Sequence, residues 1–579
     1  MRKPWDTGEV LQRLKVSRRL AALLCLSLVA GACPSDVEPN VPPGTPISPG
    51  EISSPSDSVA PAAGSFVELA CSLPPELLLR VWRGYRPDRS GDIQLLPVEP
   101  NYVGGGFSHS GPWDYLQEVP MFLFGPGFVK PGTYRRPVTL ADVASTQGQL
   151  VKFPFETPDG SPMREALVPA AERELPRLVV TLVWDSAGMD VLDAWPDAWP
   201  HLGSLVPEGA WFSRASLGAS PSNTPTGHAT LGTGGFPRNN GFIDEFLRQH
   251  GQIAKHNVKG PAFLLLPTFA DVYDAAMDNE PIVGGIVSLA AHAMMMSHGS
   301  LWNGGDRDIA VMREIQDAPT GGAETVRWNL TSAMAPFYEL PSYANDVGSI
   351  DAFAERLDRE DGRLDGLWRD RDISLSLGGF NTPARTPYQT QLIKEVIRRE
   401  GFGADEIPDL LYLNYKAIDV VGHLVGVEGI EMSDAVRYQD DALRELVAFL
   451  NRQVGRRRWV MLITADHGTQ RDPALTGAFQ ISVGRIENAI TARFDDDDNT
   501  PVLQYVRHTQ IWLNRRELAE NGHSLAEVAT FLRSLTKAQT RTSGQALPPG
   551  QEDDRVFEAV FPSDILDRLP CLRNRSGPS

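Results

Sequence analysis

Three short apolar runs constrain this chain more than any other feature, because each has the length of a buried strand and each leads into an acid. Leu178-Val-Val-Thr-Leu-Val-Trp184, preceded by Pro176 and Arg177, ends on Asp185. Asp409-Leu-Leu-Tyr-Leu-Asn-Tyr415 leads through Lys416 to Asp419, and Trp459-Val-Met-Leu-Ile-Thr464 leads through Ala465 to Asp466. Continuous runs of this kind read as strands buried on both faces, as in a parallel sheet. Acids at the ends of such strands stand where an open α/β sheet binds its ligand. His423 follows Asp419 at helical spacing, so both can reach one metal from one face of a turn. His467 adjoins Asp466. Oxygen and nitrogen ligands at strand ends are what a dinuclear metal site needs. The expected protein is an α/β, metal-dependent phosphoryl-transfer enzyme.

Between the first run and the second lies Ser220-Pro-Ser-Asn-Thr-Pro-Thr-Gly-His-Ala-Thr-Leu-Gly-Thr-Gly234, dense in hydroxyls and glycines, followed by Phe-Pro-Arg-Asn-Asn-Gly241. Alone, such a cluster reads as a turn or a helix cap. With the Asp and His motifs in order around it, the set resembles the alkaline phosphatase superfamily, most closely its type I phosphodiesterase/nucleotide pyrophosphatase branch. The likeness covers roughly Leu178–Gly241 and Leu410–Gly468. It implies a mostly parallel central sheet with helices on both faces and an inserted cap region. It also implies two divalent metal ions, zinc being the expected metal. The nucleophile of that family aligns with Thr224, four residues before His228, which is expected to be structural. A hydroxyl needs metal coordination to become alkoxide-like at neutral pH, and a helix starting just after Thr224 would aim its amides at a phosphate.

One metal would be held by Asp185, Asp466 and His467, with Thr224 beside it. The other would be held by Asp419, His423 and His109. His109 lies in Gly104-Gly-Gly-Phe-Ser-His-Ser-Gly111, ahead of Val119-Pro-Met-Phe-Leu-Phe-Gly-Pro-Gly-Phe128. In the family such a loop and strand follow the Asp-His-Gly motif, so this chain resembles a circularly permuted member. His508 and His523 are the alternatives to His109. Lys416 and Asn414 lie close enough in sequence to hold phosphate oxygens, or else cap the strand end. The position the family fills with an Asn near the phosphoryl group is Glu245 here, a carboxylate that would repel phosphate unless protonated, turned away or holding a cation.

The expected function is hydrolysis of a phosphate ester, a diester or nucleotide, through a phospho-threonine. A phosphomonoesterase or a phospho-group transferase on the same fold is the alternative. A sulfatase would need a Cys or Ser where Thr224 stands. The net charge of −19 argues against a basic nucleic-acid-binding surface. It leaves anionic substrates open, since bound metals dominate the local field.

At the N-terminus, Arg18-Arg19 and the apolar Leu20–Ala32 read as a signal segment. Its end, Leu-Val-Ala-Gly-Ala-Cys33, resembles a bacterial lipobox with Cys33 as lipid anchor; a plain secretory signal is the alternative. The expectation is an exported lipoprotein, held at the membrane in the periplasm or at the cell surface. Its divisions are signal 1–33, a Pro/Ser-rich tether 34–65 and a catalytic domain 66–575 with a cap-like insertion about 267–400. Cys71 and Cys571 remain, as a disulfide joining the ends of the folded part or as two buried thiols. Within the insertion, His292 and His298 read as part of a buried Met-rich turn. The acidic stretches Trp302–Asp308 and Asp358–Asp365 read as solvated turns.

Overall fold

The structure, a computed structural model, describes residues 63–572 apart from 256–259, 317–324, 374–378 and 497–499. The expected signal segment, Cys33 and most of the tether fall outside the described residues. The tether's last residues do not. Helix Ala63–Ser72 begins inside it, because Phe66 and Ala70 bury against a terminal core.

The three apolar runs stand side by side as the middle of a nine-stranded sheet. From one edge the order is Thr325–Asn329, Ile309–Gln316, Val283–Ile286, Asp409–Tyr415 and Leu178–Trp184. It continues Trp459–Thr464, Met121–Phe124, Ala210–Phe212 and Gly132–Tyr134. The five strands from Ile309–Gln316 to Trp459–Thr464 are mutually parallel. Met121–Phe124 then runs antiparallel to Trp459–Thr464. Leu178–Trp184 is buried at every residue, with Leu182 opposite Leu413 on one side and Ile463 on the other. Each such side chain contributes roughly 1.5–3 kcal/mol by leaving water. Because Trp184 pairs with Tyr415 and Val183 with Thr464, Asp185, Lys416 and Asp466 emerge at one edge.

Helices cover both faces. Gln147, from helix Asp142–Leu150, donates to the Thr181 hydroxyl at 2.7 Å. Thr390, from helix Arg385–Glu400, meets the Tyr415 hydroxyl at 2.7 Å. Thr181 pairs with Tyr412, and Tyr415 lies three residues further on, so the two contacts are on opposite faces.

The region 267–400, expected as a cap-like insertion mixed with sheet strands, contributes to the main sheet. It supplies the strands Val283–Ile286, Ile309–Gln316 and Thr325–Asn329, one whole wing. The run Val283-Gly-Gly-Ile286 is too short and too Gly-rich to show the signal of the central strands.

A second core joins the two ends of the chain. Ile93–Pro97 lies between Gln510–Leu513 and Phe557–Pro562 in a four-stranded antiparallel sheet that ends on Leu503–Val506. Cys71 and Cys571 form a disulfide there. No described helix is long and apolar enough to cross a membrane.

Candidate metal centre and active site

The carboxyl edge of the sheet brings the expected acids and histidines together from four separate stretches. Lys416 caps the helix Ala417–Val425, which carries Asp419 and His423 one turn apart. Asp466 and His467 follow Thr464 directly. Ser186, in a left-handed conformation at φ 65°, turns the chain after Asp185 and donates its amide to Asp466 Oδ1 at 2.9 Å.

Asp419 Oδ1, His423 Nε2 and His109 Nε2 form a triangle with sides of 3.3, 3.5 and 3.5 Å. Tetrahedral zinc ligands at about 2.0–2.1 Å from the metal stand roughly 3.3–3.4 Å apart. The protonation pattern suits a metal as well as the spacing does. His109 Nδ1 faces the Ser222 carbonyl at 3.0 Å, and a carbonyl can only accept, so Nδ1 carries the hydrogen and Nε2 the lone pair. His467 is set the same way by the Gly468 carbonyl at 2.9 Å. Its Nε2 lies 3.4 Å from Asp466 Oδ2 and 3.8 Å from Asp185 Oδ1. Asp419 Oδ1 and Asp466 Oδ2 are buried and receive no hydrogen bond. Lone pairs facing lone pairs in a buried site are repulsive until a cation sits between them. These residues therefore fit the two divalent ions expected.

Lys416 joins the two clusters. Its Nζ lies 2.8 Å from Asp185 Oδ1, 2.9 Å from Asp419 Oδ2 and 3.0 Å from Thr224 Oγ1. Burial would raise the pKa of Asp185, but Lys416 and His292 reverse this and hold it well below the usual carboxylate range. For Asp419, burial is likewise outweighed by Lys416, His423 and His109. Burial lowers His467 to about 4 and so keeps it neutral. His109 is also penalised by burial, yet its contact with Asp419 raises its pKa above the ordinary value.

Thr224 is the first residue of helix Thr224–Thr233, one position earlier than the sequence suggests, with Asn223 as cap. Its Oγ1 stands 3.3 Å from His467 Nε2. Contrary to expectation, the helix amides after Thr224 are not open to an anion. Pro225 has none, Thr226 donates to the Asn223 side chain and Gly227 to the Asn223 carbonyl. Gly227 allows the helix to approach, because a Cβ there would come within 2.6 Å of the Asp466 Cβ. Ser222 ties this loop to the His109 loop by donating to the Gly111 carbonyl at 2.8 Å.

Asn414 does not reach the pocket. Both of its amide hydrogens are used beneath it, toward Asp185 Oδ2 at 2.8 Å and His228 Nε2 at 3.2 Å. His228 donates from Nδ1 to the Thr224 carbonyl at 2.9 Å, the structural role expected of it. His292, which the sequence left in a Met-rich turn, lies behind Asp185. Its Nδ1 accepts the Leu289 amide at 2.7 Å, so Nε2 carries the hydrogen and lies 3.2 Å from Asp185 Oδ2, off the line of a hydrogen bond. No spacing in the sequence signals this. His508 stands in the turn after Leu503–Val506 and bonds Ser110 at 2.8 Å, outside the His109 triangle. His523 packs edge-on against Phe494, far from the site.

The pocket above Thr224 is lined by Lys416, Asp419, His423, Glu245, Arg507 and His508, among others. Glu245 is held by Arg507, Oε2 to Nη2 at 3.2 Å.

A mostly parallel sheet with a threonine and Asp/His clusters at its carboxyl edge marks a protein of the alkaline phosphatase superfamily. The sequence profile of type I phosphodiesterase / nucleotide pyrophosphatase matches residues 179–574, and the chain belongs to that family. A protein named calcium-transporting ATPase, from Myroides odoratus, is 22% identical over 53% of this chain and 62% of its own length. Alkaline phosphatase PafA from Elizabethkingia meningoseptica is 24% identical over 32% of this chain and 34% of its own. The chain thus spans less than two thirds of either relative. The crystal structure of wild-type PafA superposes with a TM-score of 0.47 at 16% identity, covering 67% of this chain and 84% of PafA.

Proposed function

We propose that this protein hydrolyses phosphate esters, with Thr224 as nucleophile and a phospho-threonine intermediate. The observation that supports this most directly is the position of Thr224 Oγ1, at the pocket floor between Lys416 and His467. Asp185, Asp466 and His467 would hold one ion, and Asp419, His423 and His109 the other. Zinc suits their nitrogen and carboxylate ligands. Such ions polarise phosphoryl oxygens and favour the ionised hydroxyl. Thr224 Oγ forms the bond to phosphorus as the bond to the leaving oxygen breaks, and Lys416 steadies the charge on the phosphoryl oxygens. The departing alkoxide takes a proton from solvent. Water then cleaves the phospho-threonine and the Thr224 hydroxyl is regained.

The substrate is a diester or a nucleotide. The match to the type I phosphodiesterase / nucleotide pyrophosphatase family supports this reading. The relatives named alkaline phosphatases support the monoester as the second reading. Lipid anchorage of an exported chain through Cys33 belongs to the same proposal. It predicts that Cys33→Ser moves the protein from the membrane fraction to the soluble one.

The test compares bis-p-nitrophenyl phosphate with p-nitrophenyl phosphate, with added zinc and with a chelator. Thr224→Ala is expected to lower kcat on the order of 10⁴-fold or more while folding is kept. His109→Ala is expected to lose activity and bind one ion fewer. Turnover surviving Thr224→Ala would overturn the nucleophile. A preference for the monoester would move the substrate to the second reading.

A further inference from the structure

A second group of acids lies at the other edge of the main sheet. Asp308 immediately precedes the strand Ile309–Gln316, whose amino end is opposite the edge that carries Asp185. Asp274 comes from the later part of helix Phe269–Ala276. One carboxylate oxygen from each of Asp274, Asp306 and Asp308 lies within 4.8 Å of the other two. Asp274 is only 3% exposed and Asp308 only 6%, while Asp306 stands at the rim. The expected solvated turn is thus buried at its last residue.

These carboxylates lack the partners that acids of this burial ordinarily have. Asp274 Oδ1 is buried and receives no hydrogen bond. Asp308 accepts the Ser297 hydroxyl. Arg307, between the two acids in sequence, turns away and donates to the carbonyls of Tyr338 and Ala335 at 3.1 Å. Asp271 nearby shows the contrast, since it takes the Thr268 amide and His298 Nδ1, each at 2.7 Å. Burial, with Asp306 and Asp271 adding to it, pushes Asp274 up to about 7, and Asp308 is raised well above its usual range. An anion late in a helix also meets the unfavourable end of the helix dipole.

Unpaired buried carboxylates are costly unless they share protons or bind a cation. Three oxygens without nitrogen or sulfur are ligands for a hard cation. We propose that Asp274, Asp306 and Asp308 bind one divalent cation of the Ca²⁺ class, apart from the catalytic centre. That ion would pin the segment from Ser297 to Asp308, which follows the turn His292–Met295 whose His292 stands beside Asp185.

The experiment uses the full chain, reloaded with Zn²⁺ after dialysis against metal-free buffer, and measures Ca²⁺ uptake by equilibrium dialysis. Uptake is read without turnover, so the outcome does not depend on the proposed reaction. One Ca²⁺ per chain is expected. The melting temperature should rise by about 2–5 °C at a hundredfold excess over Kd. Asp306→Asn, at the rim, should fold and weaken Ca²⁺ binding at least tenfold; Asp274→Asn/Asp308→Asn should abolish it; Asp419→Asn should leave it intact. No uptake at millimolar Ca²⁺, uptake unchanged by Asp306→Asn, or uptake lost only in Asp419→Asn would each overturn the site. So would a double variant that melts higher than a wild type indifferent to Ca²⁺, since shared protons would then neutralise the acids.

Discussion

At the carboxyl edge of the main sheet, Asp185 and Asp419 share the ammonium of Lys416 and are faced by histidines. At the amino edge, Asp274 and Asp308 have no cation among the described residues to offset them. Asp409, also at the amino edge, is handled in a third way. Burial pushes it to about 7, while it accepts the amides of Ile282 at 2.7 Å and Gly403 at 2.6 Å. Burial is common to all five acids; what differs is the partner each was given. A carboxylate held ionised in a buried place can ligate a metal, whereas one satisfied by backbone amides ties loops together.

The sharpest way to break this contrast is Lys416→Met, which strands two buried carboxylates. Metal-free protein should lose about 3–5 kcal/mol, as expected when one partner of a buried ion pair is removed. Zinc should restore most of the loss, because the ions neutralise the same oxygens. Urea unfolding with and without chelator measures both, and an equal loss in both conditions would show that Lys416 does not stand in for charge the metals supply. A smaller effect is expected from Asp409→Asn. It removes an acceptor from one of two buried amides, at about 1–3 kcal/mol, and should not respond to metal.

The smallest effect is the slope of stability with pH in the metal-free protein. Asp185 and Asp419 titrate lower folded than unfolded. Their contribution is full above about pH 4 and lost as the pH falls through their folded values. Asp274 and Asp409 do the reverse. Between about pH 4 and 7 these two acids keep protons that the unfolded chain has lost, so their part of the stability declines as pH rises, while His467, lowered to about 4, acts in the opposite sense up to about pH 6.5. From pH 4 to 8 the slope of the urea midpoint with pH should be more positive in Asp274→Asn than in the wild type. An unchanged slope in that variant would remove Asp274 from the account.

The central strands were legible because an apolar run of strand length is a local property, and so was the Asp419/His423 pair, set by one helical turn. The order of the Asp, Thr and His motifs likewise carried the family. The wing formed by Val283–Ile286, Ile309–Gln316 and Thr325–Asn329 was not legible. Its strands are short or amphipathic, and they become strands by pairing with neighbours already in place. Which of its two readings Asn414 takes was not legible for a similar reason. Asn414 and Lys416, two residues apart, project from the same face and differ in depth: the strand ends at Tyr415, so Lys416 stands beyond it at the pocket while Asn414 stays beneath Asp185.

The sequence by itself determined which residues could serve as metal ligands, that Thr224 stood at a helix start, and that the sheet would be mostly parallel. The strand runs follow from side-chain chemistry and periodicity, which act over a few residues, while the ligand set and the place of Thr224 follow from the order of motifs that the family resemblance supplies. Only the tertiary structure decided that His109 rather than His508 completes the triangle with Asp419 and His423. It alone set Lys416 between the clusters, His292 behind Asp185, and Asp308 in the interior. Those choices depend on which distant loops the strand order brings to the same edge. The cost of burying a charge depends on the neighbours it finds there.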